Sequence, residues 1–283
     1  MKPLSLTLAL LLLLGVQVAT AADQPAPPTI DGDITDLANG SPSLQTVASS
    51  FGAGVVDLHE IRVSHDASYI YIGIGSQFET SGSNTRGLWL ILDSITGEGV
   101  NILGNLAGNP QGLNGTIMES GFNADYVMFM QNGDAGNRNR YYLNVWSLNA
   151  PYGDQYWGYF DLTGSSFVTS GSEPSGFVAD VDNSASTTTG FEMRIPRTAL
   201  GVTNNLKVLA GSGRGNDAFW SNQALPSTGI AFDLGGGNDG GCGIRINFEL
   251  NTVGGCTAGS TFSGTQMLPV SNVPVELSAF GLE

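Results

Sequence analysis

Hydrophobic and polar positions alternate along most of this chain with the period of a strand. In residues 190–195, Phe191, Met193 and Ile195 point one way while Glu192 and Arg194 point the other, as in a strand with one buried face. Segments of this kind are predicted over 58–64, 69–74, 126–131, 140–148, 155–162, 177–181, 190–195, 206–210 and 244–250, separated by clusters of Gly, Asn, Asp and Ser that make turns. Residues 88–93 differ: Leu88-Trp-Leu-Ile-Leu92 is apolar throughout, which predicts a central strand covered on both faces. One short helix is predicted at 196–200, opened by Pro196 and closed by Gly201. Met128, Met130 and Met193 fall on alternating positions and read as core filling.

Ten strands with little helix predict an all-β fold, an antiparallel β-sandwich of two sheets with jelly-roll or immunoglobulin-like connections. Composition agrees: 40 glycines and scarce lysine disfavour long helices. The chain divides into a signal peptide at 1–22, a proline-rich extended leader at 23–29, one sandwich domain at 30–262 and an extended carboxy-terminal tail or linker at 263–283. The signal consists of Lys2, an apolar run from Leu4 to Val18, and the small residues Ala19, Ala21 and Ala22 as a cleavage site. That run is shorter than the roughly 20 apolar residues of a permanent membrane span. The expected product is secreted, extracellular or on the cell surface, with no membrane insertion after cleavage.

Net charge is −15, and losing Lys2 leaves Lys207 as the sole lysine. A chain with no basic patch is a poor partner for nucleic acid. Export also bears on Cys242 and Cys256, which predict a disulfide across a glycine-rich stretch. Closing such a loop is worth about 3 kcal/mol in the chain-entropy model.

Four motifs in order resemble family 9 carbohydrate-binding modules and the wider DOMON-like sandwiches. They are Thr29-Ile-Asp-Gly-Asp-Ile-Thr-Asp36, Val63-Ser-His-Asp-Ala-Ser-Tyr-Ile-Tyr-Ile-Gly73, Gly87-Leu-Trp-Leu-Ile-Leu-Asp93 and Thr189-Gly-Phe-Glu-Met-Arg-Ile-Pro-Arg-Thr-Ala-Leu-Gly201. Leu37 stands where the first motif often carries tryptophan. The resemblance implies the sandwich and a role in sugar recognition. Val273-Pro-Val-Glu-Leu-Ser-Ala-Phe280 resembles the junction before carboxy-terminal modules of proteins exported by type IX secretion.

Strand arithmetic supplies a binding candidate of its own. A hairpin of 140–148 and 155–162 around Asn149-Ala-Pro-Tyr-Gly-Asp154 places Trp146 opposite Trp157 and Asn144 opposite Tyr159, with Tyr142 beside them. Flat rings among amides and carboxylates suit the C–H faces and hydroxyls of a sugar. The same rings would be ordinary core if a neighbouring segment covered them. Asp31, Asp33 and Asp36, and separately Asp180 and Asp182, supply oxygen ligands of the kind calcium prefers, although aspartates in turns also cap their own backbone.

No catalytic constellation emerges. His59 shares strand parity with Ile61 and Val63, His65 falls in a turn, and no serine or cysteine elbow accompanies them. The function expected is a secreted non-catalytic carbohydrate-binding domain whose partner is a polysaccharide or other glycan. The alternative is an extracellular structural or adhesive subunit that self-associates by adding its extended termini as strands to a neighbour's sheet edge.

Overall fold

A strand whose two faces meet different surroundings sorts its side chains by parity, and the computed structural model follows that rule between its bulges. It describes residues 22–37, 42–52, 54–80, 86–104, 106, 113–133, 136–149, 153–202, 205–215, 219–227, 229, 235–236, 245–248, 252–254, 260–261 and 267–270. In chain order the strands are β1 (Ala22–Asp23), β2 (Ser43–Leu44), β3 (Asp57–His65), β4 (Tyr69–Gln77), β5 (Arg86–Asp93), β6 (Tyr126–Asn132), β7 (Arg140–Ser147), β8 (Gly153–Asp161) and β9 (Ser165–Thr169). They continue as β10 (Val178–Val181), β11 (Gly190–Pro196), β12 (Leu206–Arg214), β13 (Phe219–Leu225), β14 (Gly235–Gly236), β15 (Arg245–Asn247), β16 (Thr252–Gly254), β17 (Ser260–Thr261) and β18 (Leu268–Val270).

Two sheets form the sandwich. The smaller runs β1-β3-β4-β11-β10 with β2 also on β3, and the larger runs β14-β13-β12-β5-β6-β7-β8-β9 with β18 on β12. Strands β15, β16 and β17 make a separate small sheet. Among the described residues every pairing is antiparallel except β1 with β3. The predicted helix is α1, Arg197–Leu200, with Pro196 at its N-cap and Gly201 in the left-handed conformation that ends it.

The main core lies between the sheets. Ile61, Val63, Ile72 and Ile74 meet Leu88, Leu90, Leu92, Met128, Met130, Leu143 and Val145, and Phe191, Met193 and Ile195 join them as their alternation predicts. Each such side chain contributes about 1.5–3 kcal/mol by leaving water.

A second core covers the outer face of the larger sheet, which explains why 88–92 is apolar on both parities. Trp89, Ile91, Val127, Phe129, Trp146, Leu209 and Trp220 pack under Leu103, Leu113, Met118 and Phe122, with Ile246 and Phe248 added from β15 and the residue following it. Trp89 and Phe129 stack with centroids 3.6 Å apart. Within the covering segment the bridges Val100–Ala124 and Ile102–Ile117 join its two ends to each other.

A smaller cluster forms on the outer face of the smaller sheet. There the turn 29–37 drops Ile34 and Leu37 against Tyr71. Gly73 makes room for them: a Cβ at that position would stand 2.6 Å from side-chain atoms of both Ile34 and Leu37.

Among strands of five residues or more, β9 and β13 lie outside the predicted set, as do the short β2, β14, β16 and β17. β13 reads Phe-Trp-Ser-Asn-Gln-Ala-Leu, and its polar run hides a buried strand because each amide replaces a strand partner for 47–58. Asn222 accepts from Ser50 N–H at 2.8 Å and donates to Ala48 O at 2.8 Å, while Gln223 accepts from Leu58 N–H at 2.8 Å and donates to Val47 O at 2.9 Å. The segment predicted as a strand over 244–250 contains only the short β15 among the described residues. Ala22, expected as the last residue of the signal, and Asp23, expected in the leader, pair with the chain's own β3, while residues 268–270, expected in the tail, pair with β12, and Leu268 and Val270 are buried. Residues 1–21 of the expected signal peptide 1–22, both Cys242 and Cys256, and residues 271–283 lie outside the described residues. Among the described residues no helix is long and apolar enough to cross a membrane.

Candidate functional site

The hairpin of β7 and β8 exists, but its register differs from the expected one. Tyr142 faces Tyr159 and Leu143 faces Gly158; then the ladder shifts, so that Asn144 faces Tyr156 and Trp146 faces Asp154. Trp157 is the extra residue at this bulge. The backbone cause is Gly158, whose φ of 143° is closed to most residues and whose missing Cβ leaves room for Val168 O.

The bulge sends the two tryptophans to opposite sides of the sheet, which corrects the predicted Trp146–Trp157 pair. Trp146 joins the outer core and is 8% exposed, whereas Trp157 lies between the sheets at 5% exposure. The Trp157 ring packs edge-on against Phe177 and its indole N–H donates to Gln155. Neither offers a face to a ligand. The expectation that Asn144 opposes Tyr159 is likewise corrected to Asn144 with Tyr156.

What the register does bring together is a tyrosine cluster on the outer face, next to the region covered by 100–124. Tyr142 lies 6.2 Å from Tyr156 at an interplanar angle of 45°, and 5.8 Å from Tyr159 at 44°. Tyr156 is 40% exposed, and Val168, opposite Tyr159 on β9, is 40% exposed. Tyr142, Asn144 and Tyr159 are half-buried on the same face. Tyr156 is the member that sequence reasoning missed, because uninterrupted alternation places it on the opposite face from Tyr159. A glycine inside an otherwise alternating strand was the available signal.

Polar groups border the rings. The Arg140 guanidinium lies over Tyr159, 5.0 Å from its centroid, and Arg140 Nε donates to Asp161 Oδ2 at 3.4 Å. Asp161 also accepts from Asn139 at 2.6 Å and from the hydroxyl and N–H of Thr163 at 2.6 and 3.1 Å. These bonds, those from Thr163 foremost, hold its carboxyl below the usual aspartate value. Burial pushes the Tyr156 hydroxyl up, as do the neighbouring Tyr142 and Tyr159, so Tyr156 presents a neutral phenol at neutral pH. The cluster's chemistry is therefore apolar ring faces, hydroxyl and amide hydrogen-bonding groups, and one internally compensated ion pair.

The aspartates predicted to hold calcium sit together at a corner of the smaller sheet, but they are engaged by the backbone. Asp31 Oδ1 accepts from Asp33 N–H, Asp33 Oδ1 from Thr35 N–H and Asp36 Oδ2 from Thr29 N–H. Asp180 Oδ1 accepts from Val181 N–H, and Asp182 Oδ1 from Ser184 N–H. Among the described residues no three His, Cys, Asp or Glu side chains converge as a metal requires, and these aspartates cap their own turns.

Glu192 lies under this corner, fully buried. Its Oε2 accepts from the N–H groups of Asp31 and Gly32 at 3.1 and 3.2 Å, while Oε1 has no partner. Burial first, then the nearby Asp36 and Asp31, push its carboxyl up to about 8. Asp36 and Asp180 are raised as well, chiefly by burial.

The histidines sit apart from the tyrosine face. His65 is the last residue of β3 and is buried, rather than in a turn, while His59 lies at the bulge between Leu58 and Glu60. Comparison with known protein-family models, curated proteins and solved structures returned no match.

Proposed function

We propose that this chain is an exported, non-catalytic β-sandwich that recognises an uncharged polysaccharide through the tyrosine face of β7 and β8. The observation that carries the reading is the cluster of Tyr142, Tyr156 and Tyr159 on the outer face beside the second core, with Tyr156 exposed. Tyrosine rings supply flat surfaces for sugar C–H groups, and Asn144 on the same face supplies an amide for hydroxyls. Net charge of −15 repels polyanions, and the cation on this face, Arg140, is paired with Asp161. Export is supported by the basic, apolar and small-residue order of residues 2–22.

The adhesive-subunit reading has less behind it, because Asp23 of the leader and Leu268–Val270 of the tail already pair within the chain's own sheets. Affinity electrophoresis through gels containing a panel of uncharged polysaccharides tests the proposal. At least one polysaccharide retards the protein, and Tyr156→Ala weakens that retardation about tenfold, the loss of one stacking ring. Unretarded migration through every member of the panel would refute it.

A further inference from the structure

Resting on that reading, the angles between the rings narrow the physical form of the ligand. A flat crystalline polysaccharide surface can stack only on rings whose planes are parallel to it, and hence parallel to one another. Tyr142 is tilted 45° from Tyr156 and 44° from Tyr159, so a flat surface lying on one ring meets the next on its edge. The tilt is built in. The backbone bulge at Gly158 sets Tyr156 off from the ladder that holds Tyr159, and Arg140 lies over the Tyr159 ring while bonded to Asp161. Arg140 also occupies one side of Tyr159, which leaves Tyr142 and the protruding Tyr156 as the pair to receive successive sugars.

A single chain in solution can satisfy such a pair. Rotation about its glycosidic bonds turns one unit relative to the next, and centroids 6.2 Å apart are close to the length of one pyranose unit. Asn144, opposite Tyr156, and the exposed Asp154, opposite Trp146 on the same face, then lie beside the chain to take its hydroxyls. We infer that the tyrosine face grips individual soluble chains of an uncharged polysaccharide and does not dock on its crystalline surface.

The test compares two forms of the same sugar polymer with the intact protein: hydroxyethyl cellulose against microcrystalline cellulose, glycol chitin against crystalline chitin, and galactomannan against crystalline mannan. Affinity electrophoresis reads the soluble forms and depletion from the supernatant reads the solids. The expected result is binding to a soluble form at least tenfold tighter than to its crystalline counterpart, lost in Tyr142→Ala/Tyr156→Ala. Equal or tighter binding to the solid overturns this inference while leaving sugar recognition standing. Binding to neither form of any polymer overturns the proposed function itself.

Discussion

The carboxylate of Glu192 reaches across from β11 to accept the backbone N–H of Gly32, 3.2 Å away, beneath a turn that also carries Asp31 and Asp36. It does so fully buried and with its second oxygen unpartnered. The ionisable groups facing it are Asp31 and Asp36 from the turn and its register partner Asp180 from β10, with Asp33 next to Asp36. Gly73 faces it from β4, and beyond Gly73 stands Arg62, whose guanidinium is committed to Glu60 and Ile34 O.

This arrangement predicts an unusual pH dependence. The folded carboxyl titrates near 8 instead of its ordinary 4.5, so the folded state holds a proton that the unfolded chain has released. The contribution is fully present below pH 4.5 and is lost as pH rises through 8. Thermal melts should therefore show stability falling between those values. Glu192→Gln keeps an acceptor for the two N–H groups and removes the titration, so it should flatten the curve and gain on the order of 2 kcal/mol at pH 8.5. A variant that follows the wild-type pH curve would show that the titrating group lies elsewhere.

The same corner ranks two glycine substitutions. At Gly73 an added Cβ meets the side-chain ends of Ile34 and Leu37, which can shift, and Gly73→Ala should cost about 1–3 kcal/mol. At Gly32 the obstacle is backbone, Asp182 N at 2.1 Å, and φ is +84° besides. Gly32→Ala should cost more than Gly73→Ala in urea unfolding, and the reverse order would contradict the packing described for the turn.

The two tryptophans separate stability from recognition. Trp157→Ala opens a cavity beside Phe177 in the main core and should cost about 3–5 kcal/mol. Trp157→Phe should restore part of that stability. Binding by the folded Trp157→Phe protein should stay within about twofold of wild type, since the ring lies between the sheets and has no access to the tyrosine face. A selective loss of affinity at unchanged stability would return Trp157 to the binding site.

Much of the fold was legible because alternation records burial directly. Phe191, Met193 and Ile195 face the core as their parity requires, and the double-sided burial of β5 followed from an unbroken apolar run. α1 was marked by Pro196 and Gly201. Strand β13 escaped because Asn222 and Gln223 are buried for their hydrogen bonds, a pattern that depends on residues some 170 positions away and leaves no local trace. The site was legible only in part. Tyr142, Asn144 and Tyr159 do share a face, but one bulged residue exchanged Trp157 for Tyr156, because a shift of one position reverses every side chain beyond it. The aspartate turns carried two readings, and their capping bonds depend on where Thr29, Val181 and Ser184 place their N–H groups.

The most direct measurement is an equilibrium titration of the wild type and of Tyr142→Ala/Tyr156→Ala with the soluble polysaccharide that retards the protein most, alongside thermal melts of both. Two partly exposed rings contribute more to a ligand than to the fold, so the double variant should lose at least tenfold in affinity. Its Tm should stay within about 4 °C of wild type. Unchanged affinity in a folded double variant would contradict the tyrosine face as the site of recognition.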